Sequence, residues 1–330
     1  MKLWRKTPVP LRPPPLAIWE PLPPEFFRQP APVRHSPWLH LLLFALTLFS
    51  MTAAGAMQQG VDPLANLKSL VHLSEGIPFA VALLGILTVH EFGHYFAARR
   101  WGLKASFPYF LPMLPYLSLL GTLGAVIRLR SPIPHRRALL DIGAAGPLAG
   151  FVVALIACLV GLSQSAVVAP GYFHPELQQL PIELGAPLLF SGLSALILPA
   201  HAPDQMVLLS PVAFAGWVGL FITAFNLFPV GQLDGGHIVY ALFGRRHRLI
   251  GRLTFAGLLA MGIYGILALV WNWPQGWPGW LGLALFLALF GKGHPTPSDP
   301  ETPLDPQRRL VGYGCLIVFV LCFTPVPFSA

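Results

Sequence analysis

Ile77-Pro78-Phe79-Ala80-Val81-Ala82-Leu83-Leu84-Gly85-Ile86-Leu87-Thr88-Val89-His90-Glu91-Phe92-Gly93-His94 is a long apolar run that ends in H-E-x-x-H. On a helix, His90 and His94 stand at i and i+4 on one face, about 6 Å apart along the axis, so both imidazoles can reach the same ion. Glu91 is one residue round from His90. It is close enough to hold a water on such an ion and too crowded to ligate beside both histidines, which is the general-base position of metal-assisted hydrolysis. A glutamate and two histidines at the end of an uncharged run are expensive in hydrocarbon unless they bind something. The competing reading, a structural His/Glu pair in a bundle interior, leaves that cost unmet.

Composition sets the surroundings. Of the 330 residues 55% are hydrophobic and 10% charged, with a mean hydropathy of +0.64, which describes a polytopic membrane protein rather than a soluble domain. The formal net charge of +8 then reflects Lys and Arg gathered at one membrane face, and nucleic acid is not an expected partner. Cys158, Cys315 and Cys322 fall in apolar runs without C-x-x-C spacing. Neither a disulfide framework nor a cysteine zinc site is indicated, and they read as small core residues.

Residues 1–37 hold eleven prolines without the pattern of a signal peptide, and read as an extended cytoplasmic tail. Residues 38–57 read as the first span, 58–75 as a polar loop and 77–98 as the second span, ended by Arg99 and Arg100, which snorkel to the interface. At 1.5 Å per residue His90 lies ~20 Å from Ile77 and roughly 13 Å from Arg99, so a bound metal would sit inside the bilayer, nearer the basic side. Residues 104–130 do not read as a span, because Pro108, Pro112 and Pro115 break the first half. The second half, 121–130, is β-branched and punctuated by glycine, as in a strand or hairpin beside the second helix. Its unpaired edge would accept an extended peptide by strand addition; an ordinary amphipathic connection fits the short alternation equally well.

Residues 139–162 read as the third span. Gly143, Gly146 and Gly150 give it a small-residue face for close helix packing, and Asp141 reads as a first-turn charge rather than a ligand. Residues 163–205 contain no Lys or Arg. Within them 188–198 is too short to span and reads as interfacial or re-entrant, while His174 and His201 read as loop histidines on the side away from His90.

The second informative stretch, residues 212–244, contains Phe225-Asn226-Leu227-Phe228-Pro229-Val230-Gly231-Gln232-Leu233-Asp234-Gly235-Gly236-His237. One straight helix of that length would be ~50 Å long, beyond the bilayer, so a break is required, and Pro229 with Gly231 supplies it. Counting back from Gly244 puts Asp234 about 15 Å below the basic run that starts at Arg245, near the depth of His90. An extended motif with a third histidine fails, since Ala97 and Arg100 stand where glycine and histidine are needed. A glutamate ligand fails too, because none occurs between Glu91 and Glu176. Asp234 remains as the third donor of a zinc site. Three further apolar segments follow, 248–271, 277–290 and 310–323, the middle one short for a span. Trp271, Trp273, Trp277 and Trp280 gather near one turn as interfacial aromatics do. The expected fold class is an all-α polytopic membrane protein of about seven transmembrane helices with a small membrane-associated β element.

H-E-F-G-H on one transmembrane helix, together with N-x-x-P-x-x-x-x-D-G on a later one, resembles the site-2 protease family of intramembrane zinc metalloproteases. Gly216-Trp217 with the Asn226 to Gly236 wording, and Ala145-Gly146-Pro147-Leu148-Ala149-Gly150, are similar to its plastid and cyanobacterial branch, called ethylene-dependent gravitropism-deficient and yellow-green. The resemblance implies one zinc per chain on His90, His94 and Asp234, Glu91 as general base and Asn226 near the substrate carbonyl. It makes residues 38–330 a transmembrane protease domain with its catalytic core at roughly 75–250. The implied partners are the lipid bilayer and membrane proteins with a transmembrane helix, cut within or near that helix. No soluble stretch is long enough for the PDZ or CBS domains that many relatives carry, so gating by such domains is not implied. The rival reading is an inactive, metal-lacking membrane adaptor that binds transmembrane segments without cutting; the completeness of the residue set speaks against it. Placing the tail, 99–138, 244–252 and 291–309 on one side collects every Lys and Arg there except Lys68. The tail and the active-site mouth are therefore expected in the cytoplasm and the C-terminus outside, in a bacterial cytoplasmic membrane.

Overall fold

Long apolar stretches become helices, two of which absorb a single interior proline, Pro78 and Pro147, and the prolines and glycines between them set where the chain turns. The computed structural model describes residues 37–169, 183–200, 202, 205–273, 276–290 and 297–329. The expected N-terminal tail, except for Pro37, and both loop histidines, His174 and His201, lie outside the described residues. In chain order the elements are α1 (Pro37–Gln58), α2 (Leu73–Arg100), β1 (Tyr109–Pro112), β2 (Thr122–Val126), α3 (Arg136–Ser163), β3 (Ala166–Val168), β4 (Glu183–Leu184), α4 (Leu188–Ile197), β5 (Met206–Leu208), α5 (Pro211–Asn226), α6 (Asp234–Phe243), α7 (His247–Trp271), α8 (Gly279–Phe290), α9 (Pro306–Cys322) and β6 (Phe328–Ser329). Helix starts carry local signals. The Ser210 hydroxyl accepts from the Ala213 N–H ahead of Pro211, and the Asp305 carboxylate accepts from the Arg308 N–H ahead of Pro306, satisfying donors that a helix end leaves bare.

Among the described residues four helical stretches are long and apolar enough to cross a membrane: Pro37–Gln58, Leu67–Arg100, Arg136–Ser163 and Asp234–Trp271. The last joins α6 to α7 through Gly244, where φ of +55° turns the chain, so it is not one straight rod. Against the expected total of about seven, the remaining helices α4, α5, α8 and α9 have 10, 16, 12 and 17 residues.

The core that positions the site is the α2–α3–α5 packing. Phe79, Leu83 and Ile86 of α2, Ala154 and Cys158 of α3, and Trp217 and Leu220 of α5 are buried in one cluster. The Trp217 indole donates to the Gly185 carbonyl at 2.8 Å, so its one polar atom is satisfied. α6 and α9 close a second cluster against α3 around Leu140, Ala144, Ile238 and Cys315.

The strands form three two-stranded antiparallel pieces, β1–β2, β3–β5 and β4–β6. The β element expected at 121–130 is thus present, and its partner strand lies in the proline-broken half, with Pro108 just before β1 and Pro112 at its end. Tyr109 faces Val126 and Leu111 faces Gly124 across the pair. Helix α1 holds this hairpin from behind: Ser50 Oγ donates to the Gly121 carbonyl at 2.7 Å, Gln58 Nε2 to the Leu119 carbonyl at 2.7 Å, and His40 Nδ1 to the Pro108 carbonyl at 3.1 Å. The other edge of β2 has no strand partner among the described residues.

Candidate metal centre

The H-E-x-x-H stretch lies on α2 as its spacing predicts, and its residues are inside the protein: His90, Glu91 and His94 are 5%, 7% and 7% exposed. The break between α5 and α6 brings the third donor. α5 ends at Asn226, the chain passes Pro229 and Gly231, and α6 restarts with Asp234 as its first residue. A carboxylate suits that position because the helix N-terminus favours negative charge. The glycines after Asp234 have a steric reason. A Cβ on Gly235 would stand 2.0 Å from the Leu227 carbonyl oxygen, so only glycine lets the break fold back against the new helix.

The three side chains converge. His90 Nε2 and His94 Nε2 are 3.1 Å apart, and Asp234 Oδ2 lies 3.6 Å from the first and 3.3 Å from the second. Among the described residues this is the one cluster of three or more His, Cys, Asp or Glu donors set for a metal ion. The donor chemistry fits. His94 Nδ1 sits 2.7 Å from the Ile142 carbonyl; a carbonyl only accepts, so Nδ1 carries a proton and Nε2 is the nitrogen turned inward, the orientation a metal-ligating histidine needs. Nε2 faces a carboxylate oxygen of Asp234, and a cation between the two would satisfy both. Tetrahedral zinc, about 2.0–2.2 Å from nitrogen and oxygen donors, would set its ligands roughly 3.3 Å apart, close to the separations seen. Two imidazoles and one carboxylate also leave a fourth position open, as in catalytic zinc sites.

Glu91 and Asn226 flank this group. The Glu91 carboxylate lies near the backbone N–H of Ile127, just beyond β2. Asn226 Nδ2 lies 3.4 Å from His90 Nε2, so the last side chain of α5 reaches the donor cluster.

Sequence reading missed the back wall. Gly143, Gly146 and Gly150 read as a packing face, and they do let α3 approach closely, but what they approach is the site itself. A Cβ on Gly146 would stand 2.1 Å from His94 Nε2, and one on Gly150 would stand 3.1 Å from His90 Cβ. In turn Gly93, inside the H-E-F-G-H wording, admits the α3 backbone, since a Cβ there would be 2.5 Å from the Ala145 carbonyl oxygen. The available signal was the matching depth of the two glycine-bearing stretches. The Ile142 carbonyl had none, because any residue type supplies it. Asp141 stays outside the donor cluster and pairs with Arg308 instead, Oδ2 to Nη2 at 2.8 Å.

Fold and site together define a helical protein with spans long enough to cross a membrane, in which the H-E-x-x-H histidines and a distant aspartate are placed to hold a metal ion. Residues 78–270, more than half the chain, match Peptidase family M50, and the chain belongs to that family. It is 31% identical over 296 residues to the Arabidopsis thaliana protein named probable zinc metalloprotease EGY2, chloroplastic, covering 87% of this chain and 48% of that protein. To probable zinc metalloprotease EGY1, chloroplastic, of the same plant it is 32% identical over 305 residues, covering 87% and 52%. To probable zinc metalloprotease EGY3, chloroplastic, of Oryza sativa subsp. indica it is 28% identical over 308 residues, covering 88% and 49%. The chain spans about half the length of the curated relatives it matches.

Proposed function

We propose that this chain is an intramembrane zinc metalloprotease that hydrolyses peptide bonds within or near the transmembrane segments of membrane protein substrates. The observation that carries the reading is the convergence of His90, His94 and Asp234 beside a buried Glu91 on helices of a membrane protein. In this reading His90, His94 and Asp234 hold one zinc, which when bound supplies a Lewis acid that polarises the scissile carbonyl and acidifies water. Glu91 takes a proton from the attacking water and returns it to the leaving nitrogen, so the proton count closes within the site. Asn226, beside the cluster, donates from Nδ2 to the substrate carbonyl as negative charge develops there. The adaptor reading is disfavoured by the completeness of the set, three converging donors with a buried Glu91 beside them.

A peptide bond in a transmembrane helix is shielded by its own hydrogen bonds, so the substrate must open locally before it is cut. The free edge of β2 can take up the released backbone. Arg128 O and Arg130 N are bonded toward residues 104–106, so by alternation the N–H groups of Ile127 and Ala125 turn to the outer edge. The nearness of the Ile127 N–H to Glu91 agrees with that direction. Single-span substrates with a Gly, Pro or Asn near the cut should therefore be cleaved faster than an all-Leu version of the same span. The test is cleavage by the purified protein in detergent; equal rates for the two substrates would overturn helix opening as a requirement.

The topology in this reading keeps the basic loops on the cytoplasmic side of a bacterial membrane, while the relatives' names place those proteins in chloroplasts. Its support is that Arg136 bonds the Ala241 carbonyl and the Asp299 N–H bonds the Pro134 carbonyl, gathering three basic loops at one end. Single cysteines at Lys104 and Leu208 should label from opposite sides; labelling of both from one side would overturn the arrangement.

A further inference from the structure

The C-terminal part of the chain reaches back to the start of α3, one residue from the carbonyl that holds His94, through an ion pair that the proposed reaction does not use. Residues 297–309 lie along the start of α3. The Ser298 N–H donates to the Ile133 carbonyl at 3.0 Å, the Asp299 N–H to the Pro134 carbonyl at 2.8 Å, and Arg137 Nε to the Pro303 carbonyl at 2.8 Å. This strap leads into the first turn of α9, where the Arg308 guanidinium forks onto Asp141, Nε at 2.9 Å from Oδ1 and Nη2 at 2.8 Å from Oδ2. Its Nη1 meets Asp305 at 2.5 Å, and its carbon lies 5.6 Å from the centre of the Trp101 ring. The Trp101 indole donates in turn to Asp141 Oδ2 at 3.1 Å. One guanidinium thus joins the end of α2, the start of α3 and the start of α9.

An isolated surface pair would contribute little. This one is bidentate, set against an aromatic ring and half-buried, with the Arg308 and Asp141 side chains 30% and 27% exposed, which is the setting in which arginine is not replaceable by a simple positive charge. Its position along α3 gives it a purpose. The residue after Asp141 is Ile142, whose carbonyl takes the His94 Nδ1 proton at 2.7 Å. Gly146, one turn on, leaves the space for the same imidazole. Between them the helix is weakened, because Pro147 has no N–H to return to the Gly143 carbonyl. A turn that lacks a rung and must still hold a ligand to within tenths of an ångström gains from a clamp outside it.

We propose that Arg308, through Asp141, is a positioning residue for the metal centre: the clasp fixes the α3 turn whose Ile142 carbonyl orients His94. This inference rests on the reading of His94 as a metal ligand. Loss of a hydrogen-bond partner behind a ligating histidine typically weakens metal binding by about 10–100-fold; acting one residue further out, Arg308→Met and Asp141→Asn should each weaken zinc about tenfold. Arg308→Lys keeps charge without the fork and should recover only part of the loss. Arg309→Met, an exposed neighbour on the same turn, should bind as wild type does.

The experiment uses the full chain in detergent, with zinc affinity measured by chelator competition and the visible spectrum recorded after cobalt substitution. A purely structural role would lower the melting temperature of Arg308→Met and leave both readouts unchanged, and that result overturns the clasp. Weaker zinc together with a shifted cobalt spectrum in Arg308→Met, with Arg309→Met unchanged, bears it out. If wild-type protein binds no zinc, the ligand assignment itself fails and the clasp with it, so the two failures are told apart by the wild-type measurement alone.

Discussion

The two sides of the metal centre are built in opposite ways. On the α2–α3 side each donor is closed in: His94 is held by the Ile142 carbonyl, and glycines at 93, 146 and 150 bring helix backbone within contact distance. On the hairpin side, β1–β2 is held by α1 behind it and has an outer edge with no strand partner among the described residues. Leu123 and Val126 on β2 are 68% and 50% exposed. The closed side leaves one arrangement for the metal donors. The open side keeps a strand edge without a strand partner among the described residues, which is what a site needs if its substrate arrives as an unwinding helix.

Substitutions on the two sides should therefore separate metal binding from turnover. The largest effect is expected on the closed side. His94→Ala removes a donor and should lose nearly all zinc. Gly146→Ala removes no donor, yet its Cβ would stand 2.1 Å from His94 Nε2, so it too should lose most zinc by metal analysis. Gly85→Ala on α2, where a Cβ meets open space, should keep full occupancy. Zinc retained in Gly146→Ala would break the comparison at its firmest point. On the open side, Ala125→Pro removes an outer-edge N–H and leaves the donors untouched, so cleavage should fall about three- to tenfold at unchanged zinc content, the worth of one backbone hydrogen bond. Loss of zinc in that variant would show that the two sides are not separable. The smallest effect is expected behind the hairpin. Ser50→Ala removes one of two donors to the buried Gly121 carbonyl, which keeps the Met113 N–H, and should lower stability in denaturant by about 0.5–1.5 kcal/mol while zinc stays bound.

The closed side was largely legible in sequence because its signals are local. His90 and His94 share a helix face through spacing alone, and Pro229 with Gly231 forced the break whose far side carries Asp234. Depth along two helices then paired residues that are far apart in the chain. What resisted reading was either backbone or mutual. The Ile142 carbonyl and the Ile127 N–H carry no residue-specific signal. Gly146 looks like any small helix-packing residue until the imidazole it makes room for is known. Arg308 and Asp141 could be matched only by knowing that residues 297–309 lie against α3. Strand β1 was hidden by the prolines at 108 and 112, which rule out a helix there; pairing with β2 was needed to make that segment a strand.

In the proposed reaction Glu91 carries the proton at a zinc held by His90, His94 and Asp234. The most direct measurement compares wild type with Glu91→Gln in detergent, at zinc contents measured and matched, on one single-span substrate carrying a helix-weakening residue. Glutamine keeps the size of the side chain but cannot carry the proton from water to the leaving nitrogen. About one zinc per chain is expected in both proteins, with cleavage by wild type alone. Cleavage by Glu91→Gln at the wild-type rate, or wild-type protein that cuts without zinc, would contradict the proposed reaction.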